Sequence, residues 1–178
     1  MTPCHLHITG ASGSGTTTLG RALARAWAVP HADTDDYFWV PTTPPYTTKR
    51  EEPERVRLMR DLFVGRDAWV LSGTLMGWGD ELVEHFDAVV FLSAPHEERM
   101  DRLHAREVLR YGETIRPGGE REGAYRDFMD WAGGYEDPDF DGRNRAQHER
   151  WLADLPCPVV RLDSTWPVAE LVDELTRA

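Results

Sequence analysis

Gly10-Ala11-Ser12-Gly13-Ser14-Gly15-Thr16-Thr17 decides how this chain is read. The stretch follows a short run, His5–Thr9, with the look of a strand. It opens a segment in which Leu19, Ala22, Leu23, Ala26 and Trp27 recur at helical offsets until Pro30 stops it. A strand, a glycine-rich turn and a helix in that order match the phosphate-loop pattern of Gly, four residues, Gly, Lys, Ser/Thr at every position except the lysine. Glycines let the backbone curl so that successive N–H groups point at phosphate oxygens, and the helix start near Thr16 adds partial positive charge. These eight residues and Thr18 are therefore the expected nucleotide-binding residues, with the Thr17 hydroxyl placed to hold Mg²⁺. Thr16 stands where lysine would meet the β- and γ-phosphates, and a hydroxyl brings no charge. Either catalysis has been lost or another cation fills the gap.

Working outward, short apolar runs alternate with helix-period runs, as in a βαβ architecture. Strands are expected at His5–Thr9, around His31–Thr34, at Trp69–Ser72, at Ala88–Leu92 and at Pro158–Leu162. Ala88–Leu92 is apolar at every position, as a central parallel strand should be. Helices are expected near Pro53–Val64 with Val56, Met59, Leu62 and Phe63 on one face, at Asp80–Phe86, from His96 to Tyr111, around Tyr125–Met129, over Arg143–Leu152, and after Pro167. The stretches Val40–Arg50, Gly112–Gly119 and Tyr135–Gly142 read as loops. The expectation is one three-layer α/β domain over 1–178, with a less core-like insert at about 106–145.

Composition excludes several classes. The 178 residues hold 31 Asp+Glu against 20 Lys+Arg, a net charge of −11, which argues against a nucleic-acid partner. No apolar run approaches the roughly 20 residues that cross a bilayer, and the N-terminus has no signal-peptide pattern, so no membrane partner and a cytoplasmic location are expected. Two cysteines, Cys4 and Cys157, do not make a disulfide scaffold. The histidines show no metal-ligand spacing, and His5 and His7 alternate along a strand as structural residues do. Lys49 is the single lysine, so nearly all positive charge is arginine.

After the second strand comes Asp33-Thr34-Asp35-Asp36-Tyr37-Phe38. A phosphoryl-transfer site needs carboxylates there for two purposes: one orients or deprotonates an acceptor hydroxyl, the other binds Mg²⁺ directly or through water. A solvated acidic turn would have the same composition. Arg99, Arg102, Arg106 and Arg110 follow the fourth strand at spacings of 3, 4 and 4, which would group them on one helix face. Residues 99–126 hold seven arginines against five acids, a basic segment in an acidic chain. A solvated face paired to Glu97, Glu98, Asp101 and Glu107 would use the same spacing.

Ser12–Thr18 resembles the GSGTTT loop variant of archaeal-type cytidylate kinases, within the adenylate-kinase-like P-loop kinases. Asp33-Thr34-Asp35 resembles the DTD of shikimate kinases, and Asp35-Asp36-Tyr37 the DDF of uridine and nicotinamide riboside kinases. The resemblance covers most of the chain in layout and is motif-specific only in the loop and the acidic segment. It implies a P-loop fold with the parallel strand order 2-3-1-4-5 and a helical lid. It also implies ATP and Mg²⁺ as cofactors, and a small-molecule acceptor such as a nucleotide, a nucleoside or a shikimate-like alcohol. Asp35 is then the base or acceptor anchor and Asp33 the residue nearer the metal. Asp36 and Gly73 join them at the acceptor, and Arg102 and Arg106 clamp the transferring phosphate. Arg110 and Arg116 would lie farther into the lid, and the turn Asp163–Pro167 would hold adenine. The missing lysine leaves a second reading open, a nucleotide-binding module with slow ATP hydrolysis and no metabolite acceptor. The oligomeric state stays open between monomer and homodimer.

Overall fold

The computed structural model describes residues 1–177. Strands β1 (His5–Gly10), β2 (His31–Asp33), β3 (Trp69–Ser72), β4 (Ala88–Ser93) and β5 (Val159–Asp163) form one all-parallel sheet in the order β2-β3-β1-β4-β5. Both the expected five-stranded parallel sheet and its order are found. The helices are α1 (Thr16–Trp27), α2 (Thr34–Phe38), α3 (Glu52–Met59), α4 (His96–Tyr111), α5 (Glu122–Gly133), α6 (Arg145–Ala153) and α7 (Val168–Thr176).

Period-two alternation in the strands sorts side chains into two cores, one on each face of the sheet. Leu6, Ile8, Val70, Val90 and Leu92 pack with Leu19 and Leu23 of α1 and Leu171 and Leu175 of α7. Trp69, Leu71, Val89 and Phe91 point the other way, onto Val56 and Met59 of α3 and Leu152 of α6. A sheet covered on both faces explains why β4 is apolar from Ala88 to Leu92. His7 faces the second core, stacked on Phe86 at 4.9 Å between ring centroids. His148 of α6 lies beside it, its Nε2 3.0 Å from Thr9 Oγ1 and its Nδ1 3.0 Å from Tyr135 Oη. Both rings are fully buried.

Four local expectations change. The helix expected at 53–64 ends as α-helix at Met59 and continues as a π turn, Arg60–Val64. That wider winding carries Leu62 off the buried face, to 59% exposed, while Phe63 stays buried. Asp80–His85 is 3₁₀ rather than α, and Gly112–Ile115, expected as loop, is a 3₁₀ turn. The last of the longer inner helices begins at Arg145, not Arg143. Asn144 is its N-cap, its side chain accepting from the Gln147 amide at 2.9 Å while the Gln147 side chain accepts from the Asn144 amide. Arg143 is thereby left outside the helix, in the residue before the cap.

Candidate active site

The phosphate loop runs from the C-terminal end of β1 into α1. Gly15 takes φ +91°, a left-handed conformation that a side chain would strain, and serves as the N-cap without any side-chain cap bond. No acidic residue sits in the first turn of α1. The first-turn N–H groups therefore have neither a side-chain acceptor nor a competing carboxylate, the arrangement that receives an anion.

Helix α2 explains how the acidic cluster divides its work. Asp33 caps it, Oδ1 accepting from the Asp35 amide at 3.1 Å. Its Oδ2 accepts from the Thr17 hydroxyl at 2.7 Å and from Ser72 Oγ at 3.3 Å. The two residues expected at the metal thus touch. A hydroxyl and a carboxylate are hard oxygen donors that suit Mg²⁺, which takes few protein ligands and fills its remaining positions with phosphate and water. Among the described residues no group of three or more His, Cys, Asp or Glu could hold a metal alone, which is compatible with a cation bound jointly with phosphates.

Asp35 opens onto the cavity that contains the loop residues Gly10, Ser12, Thr16 and Thr17. Asp35 is exposed, yet the partial desolvation by the surrounding walls and the Asp33 carboxylate raise its pKa above the ordinary aspartate value, against the pull of Arg143 and Arg106. Asp36 does not join it. Successive helical residues point about 100° apart, and Asp36 turns away from the cavity toward Arg21 and His31. Gly73, at φ +112°, lines the same cavity, and a side chain there would run into Thr34 Oγ1.

The arginines of α4 do not act as one face. Arg99 is 1% exposed and lies against the loop, donating to the Ser12 carbonyl at 2.9 Å. Arg106 and Arg110 line the cavity and share Glu107 as partner, at 3.0 and 3.5 Å. Arg102 does not line the cavity. It pairs with Glu98 and donates to Ser164 Oγ and O at 2.9 and 2.8 Å, in the turn after β5. Three residues advance a helix by about 300°, so Arg102 sits about 60° off the line from Arg99 to Arg106. Arg116 is an exposed partner of Glu113, outside the cavity. Trp166, in the turn expected to hold adenine, is 49% exposed.

Arg143 is the functional candidate that sequence reasoning missed. It lines the cavity and donates from Nη2 to Ser12 Oγ at 3.1 Å. The signal that could have found it is Asn144-x-x-Gln147, a capping-box spacing that moves the helix start two residues on and turns Arg143 into a loop residue. The cavity encloses about 660 Å³, within the usual range for small-molecule sites. Away from the loop its walls mix aromatic rings with the charged side chains of Lys49, Arg106, Glu107, Arg110 and Arg121. Phe38 and Trp78 meet edge to face at 5.7 Å, and Trp39 meets Tyr46 at 6.1 Å. Tyr125, Phe128 and Trp131 of α5 close the opposite side.

A parallel sheet of this order with a glycine loop after its central strand defines a nucleotide-binding P-loop protein of the small-molecule kinase type. The AAA_18 family model, described as an AAA domain, matches residues 7–120, and the chain belongs to that family. It is 43% identical over 171 residues to the uncharacterized protein YqaC of Bacillus subtilis, covering 96% of this chain and 94% of that one. It is 31% identical over 138 residues to a cytidylate kinase of Haloarcula marismortui, covering 69% and 71%. Among solved structures, a shikimate kinase from Acinetobacter baumannii in complex with shikimate superposes with a TM-score of 0.56 at 15% identity, covering 98% of this chain and 91% of that one. A gluconokinase from Sinorhizobium meliloti gives 0.53 at 20% identity, covering 97% and 89%. At that identity the structural likeness speaks for the fold.

Proposed function

We propose that the chain transfers the γ-phosphoryl group of ATP, with Mg²⁺, to a hydroxyl of a small-molecule acceptor. The observation that carries this reading is the position of Asp35, which shares one cavity with the phosphate loop and sits beside the Thr17–Asp33 pair. A module that only bound nucleotide would not need a carboxylate facing the loop, and one that hydrolysed ATP with a water molecule would not need an aromatic-walled cavity of this size beside it. The aromatic walls offer faces for a flat acceptor, a nucleoside or nucleotide, and Arg106, Arg110 and Arg121 on the same walls suit one that carries a phosphate.

In this reading the loop N–H groups of Gly10–Thr18 hold the phosphates, and Thr17 and Asp33 would hold a Mg²⁺ ion, which would supply positive charge against the phosphates. Asp35 accepts the acceptor's hydroxyl proton as the new O–P bond forms. The bond between Pγ and the bridging oxygen breaks, and its electron pair leaves on ADP. Arg106, reaching the cavity from the basic segment, stabilises charge on the transferring group.

The test is ADP release with ATP and Mg²⁺ across nucleosides, nucleotides and shikimate-like alcohols. Stimulation by at least one acceptor, with the phosphorylated product identified by mass, is the expected result. Slow ADP release that no acceptor changes would replace this reading with the nucleotide-binding module.

A further inference from the structure

The loop keeps every glycine of its pattern and lacks the lysine, so a cation is owed to the β- and γ-phosphates. The single lysine does not supply it. Lys49 pairs through its backbone with Trp39 and holds its ammonium 5.9 Å from the Phe38 ring centre. Arg102 is engaged at Ser164, and Arg106 is partly neutralised by Glu107.

We infer that Arg143 replaces the missing lysine, entering from the far side of the insert and gripping the transferring phosphoryl group across the third residue of the loop. The inference rests on the kinase reading and assigns the cation within it. Three observations meet at this side chain. Its Nη2 donates to Ser12 Oγ at 3.1 Å, which places one end of the guanidinium on the loop itself. Its charge acts on Asp35, at the acceptor end of the same cavity. In-line transfer requires the phosphoryl group to pass between loop and base, and a guanidinium held on the loop inside the same cavity stands near that path. Its Nε is buried and donates to nothing in the protein, and among the described residues no carboxylate pairs with it. A half-buried guanidinium with a buried, unspent Nε donor and no ion-pair partner is poised for an anion.

The surroundings fix Arg143 rather than let it swing. The next residue, Asn144, is 2% exposed and spends its side chain on the Gln147 amide and the Phe140 and Pro138 carbonyls. The Trp131 ring faces the guanidinium, with 5.4 Å from its centre to Cζ. Behind the loop, Arg99 donates to the carbonyl of the same Ser12. Two guanidiniums on one loop residue repel each other, and a phosphate between loop and acceptor relieves both. Lysine is a point charge at the base of the loop; arginine's planar fork suits phosphate oxygens approached from the side.

The test compares binding of Mg-ADP with binding of the magnesium complex of the β,γ-imido analogue of ATP, by calorimetry, and adds turnover. For Arg143→Ala, the preference for the ATP analogue over ADP should fall about tenfold or more, ADP affinity should stay within about threefold, and turnover should drop on the order of 10³-fold. Arg143→Lys should recover part of both losses. Thr16→Lys should restore at least tenfold in turnover on the Arg143→Ala background, yet do little in the wild-type chain. Arg143→Gln, which keeps hydrogen bonding without charge, guards against a folding defect and should behave as alanine does. A folded Arg143→Ala or Arg143→Gln that keeps the wild-type preference and turnover overturns the inference, as does equal loss of both nucleotides. A wild-type chain that binds both nucleotides but phosphorylates no acceptor sinks the kinase reading while leaving the preference measurement decisive for Arg143. One that binds neither overturns both.

Discussion

Arg102 and Ser164 tie helix α4 to the turn after β5: one guanidinium donates to both the hydroxyl and the carbonyl of a single residue, at 2.9 and 2.8 Å. Arg106, one helical turn on, faces the cavity instead. The two arginines should therefore fail differently. Arg102→Ala should cost about 1–2 kcal/mol of stability from lost charged hydrogen bonds and weaken nucleotide binding, with turnover at saturation nearly kept. Arg106→Ala should leave nucleotide affinity nearly unchanged and lower turnover on the order of 10²-fold. Denaturant titration beside steady-state kinetics separates the two; identical profiles would mean that the helix presents one functional face after all.

Asp35→Asn should cut turnover about 10²–10⁴-fold with ADP affinity intact. It should also make the protein more stable at neutral pH. The folded-state pKa of Asp35 is raised, so its contribution to stability is fully present below the unfolded pKa and is lost as pH rises through the folded value. At pH 7 the ionised carboxylate is held at a cost that asparagine does not carry. A thermal melt of the variant at pH 7 should sit above the wild type, and the gap should close in acid. A lower melting temperature at pH 7 would show that Asp35 is held by structural partners rather than strained for chemistry.

Thr17→Val should weaken nucleotide binding only when magnesium is present, and Asp33→Asn should raise the magnesium concentration needed for half-maximal turnover about tenfold or more. The contact between the Thr17 hydroxyl and Asp33 Oδ2 is the reason to expect both. Titration of Mg²⁺ at fixed ATP checks them, and magnesium curves that coincide with the wild type would move the metal elsewhere.

Acid should unfold the domain early through two histidines. Burial pushes His7 down to about 4 and His148 down to about 3, from 6.5. Their folded pKa values are depressed, so the unfolded chain binds protons first, and stability falls as pH drops below about 6.5. With about 1.4 kcal/mol per pH unit for each ring, stability at pH 5 should be lower than at pH 7 by on the order of 4 kcal/mol. Urea midpoints at the two values measure this directly. Replacing His148, for instance by Phe, should flatten the pH dependence whatever it does to stability at pH 7.

The five strands and the loop were legible in the sequence, because they rest on local spacing: apolar runs of strand length, helical offsets after the glycines, and a proline stop. The strand order came from the resemblance to P-loop kinases, since no local spacing states which strands pair. The same motifs named Thr17 and Asp33 for one metal ion, while the hydrogen bond between them came only with the structure. Helix α2 was not legible, since five residues are too few to show a period, and without it Asp35 and Asp36 look equivalent. Their difference is one helical step of rotation.

Spacing along α4 grouped four arginines, but grouping is not direction. Which way each guanidinium turns depends on what packs beside it: the Ser12 carbonyl for Arg99, Ser164 for Arg102, Glu107 for Arg106 and Arg110. The sequence by itself determined that this loop lacks its lysine and that, Lys49 apart, every other cationic side chain is an arginine. Only the tertiary structure decided which arginine stands at the loop. Arg143 and Ser12 are 131 residues apart, and no local pattern relates them. They meet because the insert folds back across the cavity and the Asn144 cap pins the chain there, a contact set by packing between distant segments.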